Sequence, residues 1–271
     1  MDNRCIGVFD SGLGGLTCVR EIMNLLPGES IVYFGDTGRV PYGTRSAETI
    51  IKYTHSDIRF LKQFDPKAIV IACGTVSTTA LDIVKEQYPD DIILGVTTPS
   101  ATRAAKATKN GKIGVIGTSR SINSGKYEEE IHKINPHAQV FSNPCPLFVP
   151  LVENGWLDKK ATYLVAEEYL EPLKKQGVDT LILGCTHYPL IKKVIGEIMG
   201  DGVTLVDPGK ETAGYIKKAI ESREILPAGS PAEHRFYVSD KVEGFTDMAE
   251  MFLSRTITGS VEKIDIEKYM L

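Results

Sequence analysis

The sequence predicts an α/β fold of two similar lobes, each a mainly parallel sheet flanked by helices. Short runs rich in valine and isoleucine, such as AIVIAC and TLILGC, recur along the 271 residues. Stretches of helical period separate most of these runs, which is typical of β-α-β units. Because ligands bind at the carboxyl ends of the strands in such sheets, we expect the active site in the cleft between the lobes.

The individual elements follow from this alternation. Apolar runs predict strands, in chain order, over IGVF, SIVYFGD, AIVIAC, DIILGV, KIGVIG, AQVF, TLILGC and TLVD. Apolar residues at every third or fourth position predict helices over LTCVREIMNLL, AETIIKYTHSDIRFLKQF, YLVAEEYLEPLKK and LIKKVIGEIM. The strands are near-continuous apolar runs, so we expect sheets that are buried on both faces.

A faint internal repeat indicates where the lobes divide. AIVIACGT and TLILGCTH each place a cysteine at the end of an apolar strand, with a threonine within the next two residues. We predict a first lobe from residues 1–95 and 210–271 and a second lobe from residues 96–209. The closing segment contributes the strand-like HRFYVSD and VEKID to the first lobe.

Composition excludes several classes of function. The net charge is −4 with acids and bases interspersed, so no basic patch indicates a nucleic acid as partner. No stretch approaches the ~20 apolar residues of a membrane span, and the start MDNRCIGVFD lacks the apolar core of a secretory signal. We therefore expect a cytoplasmic protein with a small-molecule ligand.

The five cysteines predict neither a disulfide framework nor a metal site. Their number is odd, and no C-x-x-C pair occurs. We expect free thiols, no metal and no cofactor. A single cysteine is more often a small buried apolar residue than a reactive one, so only an arrangement of several groups points to chemistry.

Chemically suggestive groups follow the predicted strands. They are Asp10-Ser11, Asp36-Thr37, Cys73-Gly74-Thr75, Gly117-Thr118 and Cys185-Thr186-His187. Strand ends also carry polar residues simply to cap the next helix, and this alternative is equally good for Asp10, Ser11, Thr75 or Thr118 taken singly. Together they predict one cleft.

Two loops add candidate donors. DSGLGG joins a strand to a helix, so its backbone N–H groups can face an anion. Because neither G-x-G-x-x-G nor G-x-x-x-x-G-K-[ST] occurs, a carboxylate is favoured over a nucleotide. GDTGRVPYG presents main-chain donors and the phenol of Tyr42, although an ordinary turn explains its glycines and proline as well.

The two strand-end cysteines suggest proton transfer at a stereocentre. A free thiol has a pKa of about 8.5, which a helix N-terminus lowers toward thiolate, and we place Cys73 and Cys185 at such termini. Inverting a stereocentre requires one group to take a proton from one face while another donates to the opposite face. We expect Asp10 to assist the substrate amino group or the Cys73 thiol, and Glu153 with His187 to poise Cys185.

Six motifs in this order resemble glutamate racemase: DSGLGGL, GDTGRVPYG, IACGT, VIGT, PLFVPLVENGW and LGCTHYPL. The resemblance covers nearly the whole chain. It implies a two-lobed racemase fold, a cofactor-independent isomerase that interconverts L- and D-glutamate, and a supply of D-glutamate for peptidoglycan.

The resemblance also assigns roles. It implies that Cys73 acts on the D-isomer and Cys185 on the L-isomer, with Asp10, Glu153 and His187 assisting them. Further positions match substrate-binding residues of the family: Ser11, Tyr42, Gly43, Gly74, Thr75, Thr118 and Thr186, together with Asp10 and His187.

The sequence departs from the family pattern at three places. Gly74 replaces the asparagine of the usual Cys-Asn-Thr, which removes an amide that would contact the substrate. A hydrogen bond to a charged group contributes about 1.5–3 kcal/mol, so its loss predicts about a ten- to hundredfold weaker interaction. Thr98-Pro99-Ser100 stands for Glu-Pro-Gly, and Pro208 for a small polar residue.

These departures leave two alternatives open. One is a racemase of aspartate or another amino acid, and the other is a weakly active ligand-binding paralogue. The sequence is also compatible with a homodimer, because closed two-fold assemblies are the commonest soluble oligomers.

Overall fold

The computed structural model of the chain describes residues 2–225, 232–240, 242, 245–257 and 261–270. The described strands are β1 (Ile6–Asp10), β2 (Ile31–Gly35), β3 (Ala68–Ile71), β4 (Ile93–Gly95), β5 (Lys112–Gly117), β6 (Gln139–Pro144), β7 (Thr180–Leu183), β8 (Thr204–Val206), β9 (His234–Val238) and β10 (Val261–Lys263).

The strands form two separate sheets in which every described pair is parallel. One sheet has the order β10-β9-β2-β1-β3-β4, and the other has the order β6-β5-β7-β8. The predicted fold of two α/β lobes with mainly parallel sheets is confirmed. β9 and β10, from the closing segment, pair in the first sheet, while the residue bounds of the two lobes stay a prediction.

Helices cover the sheets. They are α1 (Leu16–Leu25), α2 (Ala47–Lys62), α3 (Gly74–Thr79), α4 (Leu81–Gln87), α5 (Thr97–Ala107), α6 (Ser119–Asn123), α7 (Lys126–His132), α8 (Phe148–Glu153), α9 (Lys160–Gln176), α10 (Lys192–Met199), α11 (Pro208–Ser222) and α12 (Phe245–Leu253). Short 3-10 helices lie at Tyr42–Thr44, Tyr188–Ile191 and Ile266–Tyr269.

Burial explains why the central strands are continuous apolar runs. Every residue of β1, β2, β3 and β7 is buried, because helices pack on both faces of each sheet. The edge strand β6 has no fully buried residue, and its sequence QVFSNP is correspondingly mixed.

Of the three hydrophobic clusters among the described residues, one is shared by the two lobes. A single cluster of buried side chains runs from Ile6 and Leu16 of the first lobe to Leu181 and Ile195 of the second. α11 packs against both α1 and α5, and a Cβ atom at Gly209 would lie 3.0 Å from the Cα atom of Cys18. This close helix packing joins the lobes on one side.

Among the described residues, no helix combines the length and the apolar character that crossing a membrane requires.

Candidate active site

A cleft of about 420 Å³ opens between the lobes at the carboxyl ends of their strands. Its walls come from the segments that follow β1, β3, β5 and β7, and from the loops before α2 and around α8. The predicted residues that line it are Ser11, Tyr42, Gly43, Cys73, Gly74, Thr75, Thr118, Glu153, Cys185, Thr186 and His187. This is the edge at which parallel sheets bind ligands.

Cys73 caps the N-terminus of α3 and is 5% exposed. Its thiol donates to Ser11 Oγ at 3.5 Å, and not to Asp10. Burial, together with the negative charge of Asp10, raises the pKa of Cys73 to about 12, although the bond to Ser11 opposes this shift. The expectation of a lowered pKa is therefore wrong for Cys73, because loss of water outweighs the short helix behind it.

Cys185 lies in a turn and not at a helix N-terminus, contrary to the sequence prediction. β7 ends at Leu183, and the next helical turn starts only at Tyr188. Cys185 Sγ lies 3.8 Å from His187 Nδ1, so the turn brings the two side chains together. Strand alternation, which also favoured this contact, is not its cause.

His187 connects Cys185 to Glu153. Its Nε2 lies 3.0 Å from Glu153 Oε1, on the opposite side of the ring from the sulfur. Burial lowers the pKa of His187, but the contacts with Cys185 and Glu153 outweigh burial and raise it to about 10. The two contacts therefore favour the protonated imidazole, in which both ring nitrogens are donors.

We expect Glu153→Gln to lower the pKa of His187, which NMR titration of the imidazole ring measures. The folded-state pKa lies above the ordinary 6.5, so the folded protein holds an extra proton between pH 6.5 and about 10. This contribution to stability is complete below pH 6.5 and is lost as the pH rises to about 10.

Denaturation with urea at several pH values should therefore show a weaker pH dependence in Glu153→Gln than in the wild type. Glu168→Gln, a change at an exposed glutamate of α9, is the matched control and should leave both readouts unchanged. An unchanged His187 pKa in Glu153→Gln would contradict the assigned contact.

Asp10 lies beneath the DSGLGG turn and does not line the cleft. Its Oδ2 accepts from the Gly12 N–H at 2.9 Å, while Oδ1 has no hydrogen-bond partner among the described residues. Burial raises the pKa of Asp10, and the positive charge of His187 opposes that rise. Asp10 therefore acts on Cys73 through its charge and not through a hydrogen bond.

The phenol of Tyr42 does not face the cleft, which corrects the sequence prediction. The side chain is buried, and its hydroxyl donates to Asp36 Oδ2 and lies 3.3 Å from Asp57 Oδ2. Asp36 belongs to the same buried cluster, so it does not join the cleft either. At Tyr42 and Gly43, the main chain is therefore the part that can face a ligand.

Threonines form a polar contact across the cleft. Thr75 Oγ1 of the first lobe lies 3.0 Å from Thr118 Oγ1 of the second. Thr118 also caps α6 by accepting from the Ser121 N–H. This residue therefore caps a helix and lines the cleft at the same time. Thr186 is tied to the first lobe, because its carbonyl accepts from Thr17 Oγ1 at 2.9 Å.

Gly74 marks a close approach of the two lobes. A Cβ atom at this position would lie 2.5 Å from the carbonyl oxygen of Gly184, the residue before Cys185. In this arrangement an asparagine does not fit without a backbone shift. Gly74 therefore allows this close approach, while the effect of the missing amide on substrate binding stays a prediction.

The other departures lie away from the cleft walls. Thr98 Oγ1 donates to Glu130 Oε2 at 2.8 Å. Pro208 is the first residue of α11 and directly follows the N-cap residue Asp207. Sequence reasoning missed the apolar wall, which is formed by Val40, Pro41, Pro146, Val149 and Pro150. The prolines in the sequences VPY and PLFVP could have indicated this wall.

Comparison with known proteins agrees with this geometry. The family model described as Asp/Glu/Hydantoin racemase matches residues 6–216. A glutamate racemase of Geobacter metallireducens is 45% identical over 97% of each chain.

Two solved structures are also similar. One is a glutamate racemase of Francisella tularensis in complex with D-glutamate, with a TM-score of 0.92, 41% identity and coverage of 99% of this chain and 100% of the other. The second, a glutamate racemase of Bacillus anthracis, has a TM-score of 0.94 and 40% identity over 98% of each chain. With these matches over nearly its full length, the chain belongs to the Asp/Glu/hydantoin racemase family.

Proposed function

We propose that this protein interconverts L- and D-glutamate without a cofactor, using Cys73 and Cys185 as its two acid/base groups. The observation that carries the proposal is that two buried thiols, one from each lobe, line the same cleft. We choose glutamate as the substrate because similar proteins are named glutamate racemase.

The charges around the thiols are opposite. His187 Nδ1 lies 3.8 Å from the Cys185 sulfur and the pKa of His187 is raised, whereas Asp10 adds negative charge near Cys73. In the direction that starts from L-glutamate, Cys185 acts as the thiolate and Cys73 as the thiol. Cys185 then takes the α-proton with its sulfur lone pair, and the electron pair of the C–H bond stays on the α-carbon. Cys73 donates its proton to the opposite face, which leaves Cys73 as thiolate and Cys185 as thiol.

The remaining cleft residues are assigned to binding. Ser11, Thr75, Thr118 and Thr186 offer hydroxyls, and the main chain at Tyr42 and Gly43 offers backbone groups to the substrate carboxylates. Because Thr98 contacts Glu130, it gives no support for a different substrate. Racemisation of aspartate or another amino acid remains the alternative that experiment must exclude.

We expect the purified protein, without added cofactor, to incorporate deuterium from D₂O at the α-carbon of both L- and D-glutamate as they racemise. Proton NMR follows the exchange, and chiral chromatography follows the enantiomers. Aspartate, alanine and serine enantiomers serve as the comparison panel. Turnover of one of these without turnover of glutamate would contradict the substrate, and no exchange with any of them would contradict racemase activity.

We further propose a cytoplasmic role in making D-glutamate for peptidoglycan, as a homodimer. The free, buried cysteines of the described residues suit a reducing compartment. Large apolar side chains are exposed along the second lobe, namely Leu147 (51%), Trp156 (47%) and Leu164 (56%). Light scattering of the purified protein, at concentrations from nanomolar to micromolar, measures the oligomeric state.

A further inference from the structure

A buried charged cluster lies behind the loop 40–44, which lines the cleft. We call it the anchor cluster and define it as Asp36, Arg39, Tyr42 and Asp57. Arg39 is 8% exposed, and both aspartates are fully buried. The Arg39 guanidinium donates from Nε to Asp36 Oδ2 at 2.6 Å and from Nη2 to Asp57 Oδ1 at 2.8 Å. These two bonds come from different nitrogen atoms of the guanidinium.

Tyr42 completes the anchor cluster from within the loop. Its hydroxyl contacts both aspartates, so one side chain of the loop is tied to the same carboxylates as Arg39. The rings of Tyr42 and Tyr53 lie 5.4 Å apart, and the Arg39 guanidinium lies 4.1 Å from the centre of the Tyr53 ring. The loop is therefore fixed by both polar and aromatic contacts.

The anchor cluster joins several parts of the first lobe. Asp36 directly follows β2, and Asp57 lies in the middle of α2. Ser239, after β9, donates to Asp36 Oδ1 at 2.7 Å, and Arg39 Nη1 donates to Ser56 Oγ at 3.1 Å. The loop is thus held against the end of the sheet and against one helix at the same time.

Burying two carboxylates and one guanidinium is costly, and such clusters contribute little net stability. Their defined geometry, by contrast, fixes the position of the groups attached to them. Because the Tyr42 side chain points away from the cleft, the anchor cluster holds the main chain of Tyr42 and Gly43 as the cleft wall. That wall touches the other lobe, since a Cβ atom at Gly43 would lie 3.3 Å from Thr118 Cβ.

We propose that Arg39 and Tyr42 are positioning residues, which hold the Tyr42-Gly43 main chain where it binds a carboxylate of the substrate. The inference rests on the proposed function, because it takes an acidic amino acid as the ligand. Its direct consequence is that loosening the anchor cluster weakens substrate binding more than it slows proton transfer at the two thiols.

The first test is Tyr42→Phe, which keeps the ring and removes the hydroxyl. We expect KM for both glutamate enantiomers to rise about tenfold, because the Tyr42-Gly43 main chain is then held less firmly in its binding position, while kcat changes by less than about twofold. Arg39→Lys keeps the charge but cannot donate to Asp36, Ser56 and Asp57 together, so we expect a similar rise in KM.

Two controls separate positioning from general loss of stability. Tyr163→Phe removes another hydroxyl that donates to a carboxylate, at 2.5 Å from Glu197 on the outer face of the second lobe. Glu29→Gln disrupts another buried ion pair of the first lobe, with Lys67 at 2.6 Å, before the amino ends of β2 and β3. We expect Glu29→Gln to lower Tm, and both controls to keep the KM of the wild type.

An unchanged KM in Tyr42→Phe would overturn the inference, and so would an equal rise in KM in Glu29→Gln at the same loss of Tm. If both cluster variants fail to fold, Ser239→Ala, which removes a donor to Asp36 and an acceptor for the Gly38 N–H, should raise KM about twofold, and an unchanged KM there would overturn the inference. The proposed function fails separately, when the wild type itself does not racemise glutamate.

Discussion

Cys73→Ser and Cys185→Ser are each expected to lower the rate of racemisation by about 10²–10⁴-fold, the usual contribution of a general acid or base. A serine hydroxyl is a far weaker acid than a thiol and cannot exchange roles between the two faces of the α-carbon. Because the two enantiomers have equal free energy, kcat/KM must fall equally in both directions. Polarimetry, started from either enantiomer, measures both rates.

Cys5→Ser is the matched control for these variants. Cys5 is also buried, and its thiol donates to the Phe64 carbonyl at 3.8 Å, outside the set of residues that line the cleft. We expect this variant to keep the wild-type rate. Retained racemisation in Cys73→Ser or Cys185→Ser, in folded protein, would contradict the two-thiol mechanism.

Gly74→Asn is expected to lower kcat/KM about a hundredfold, although it restores the residue that the family commonly has here. The new Cβ atom would lie 2.5 Å from the Gly184 carbonyl oxygen, so the segments carrying Cys73 and Cys185 must move apart. Displacing catalytic groups by about 1 Å can cost about 10²-fold in rate. Enzyme kinetics with both enantiomers measures the loss.

Gly74→Ala adds the Cβ atom without the amide and should show most of the same loss. Gly214→Ala is the control, because a Cβ atom there meets nothing within 4 Å and the residue lies within α11. If Gly74→Asn bound glutamate more tightly than the wild type, the amide and not the close approach of the lobes would decide the effect of this position.

Sequence periodicity was sufficient to predict the fold class. β1, β3 and β7 are buried on both faces, so their sequences are continuous apolar runs. Such runs can be recognised from the sequence. The carboxyl ends of those strands carry Ser11, Cys73 and Cys185, and strand direction alone places them at one edge of their sheets.

The local surroundings of these residues were not predictable in the same way. Whether a buried thiol is acidic depends on the balance between lost water and nearby charge, and both are set by residues distant in sequence. Burial and the charge of Asp10 raise the pKa of Cys73, whereas contacts with Cys185 and Glu153 raise the pKa of His187. The sequence contains these groups but not their distances.

The sequence by itself therefore determined the two-lobed α/β architecture and the two cysteines at strand ends, because these depend on local hydrophobic period. Only the tertiary structure decided that the Tyr42 phenol faces Asp36 and Asp57, and that Gly74 packs on Gly184. The physical reason is that side-chain direction and close backbone approach depend on contacts between segments far apart in the chain, which no local pattern records.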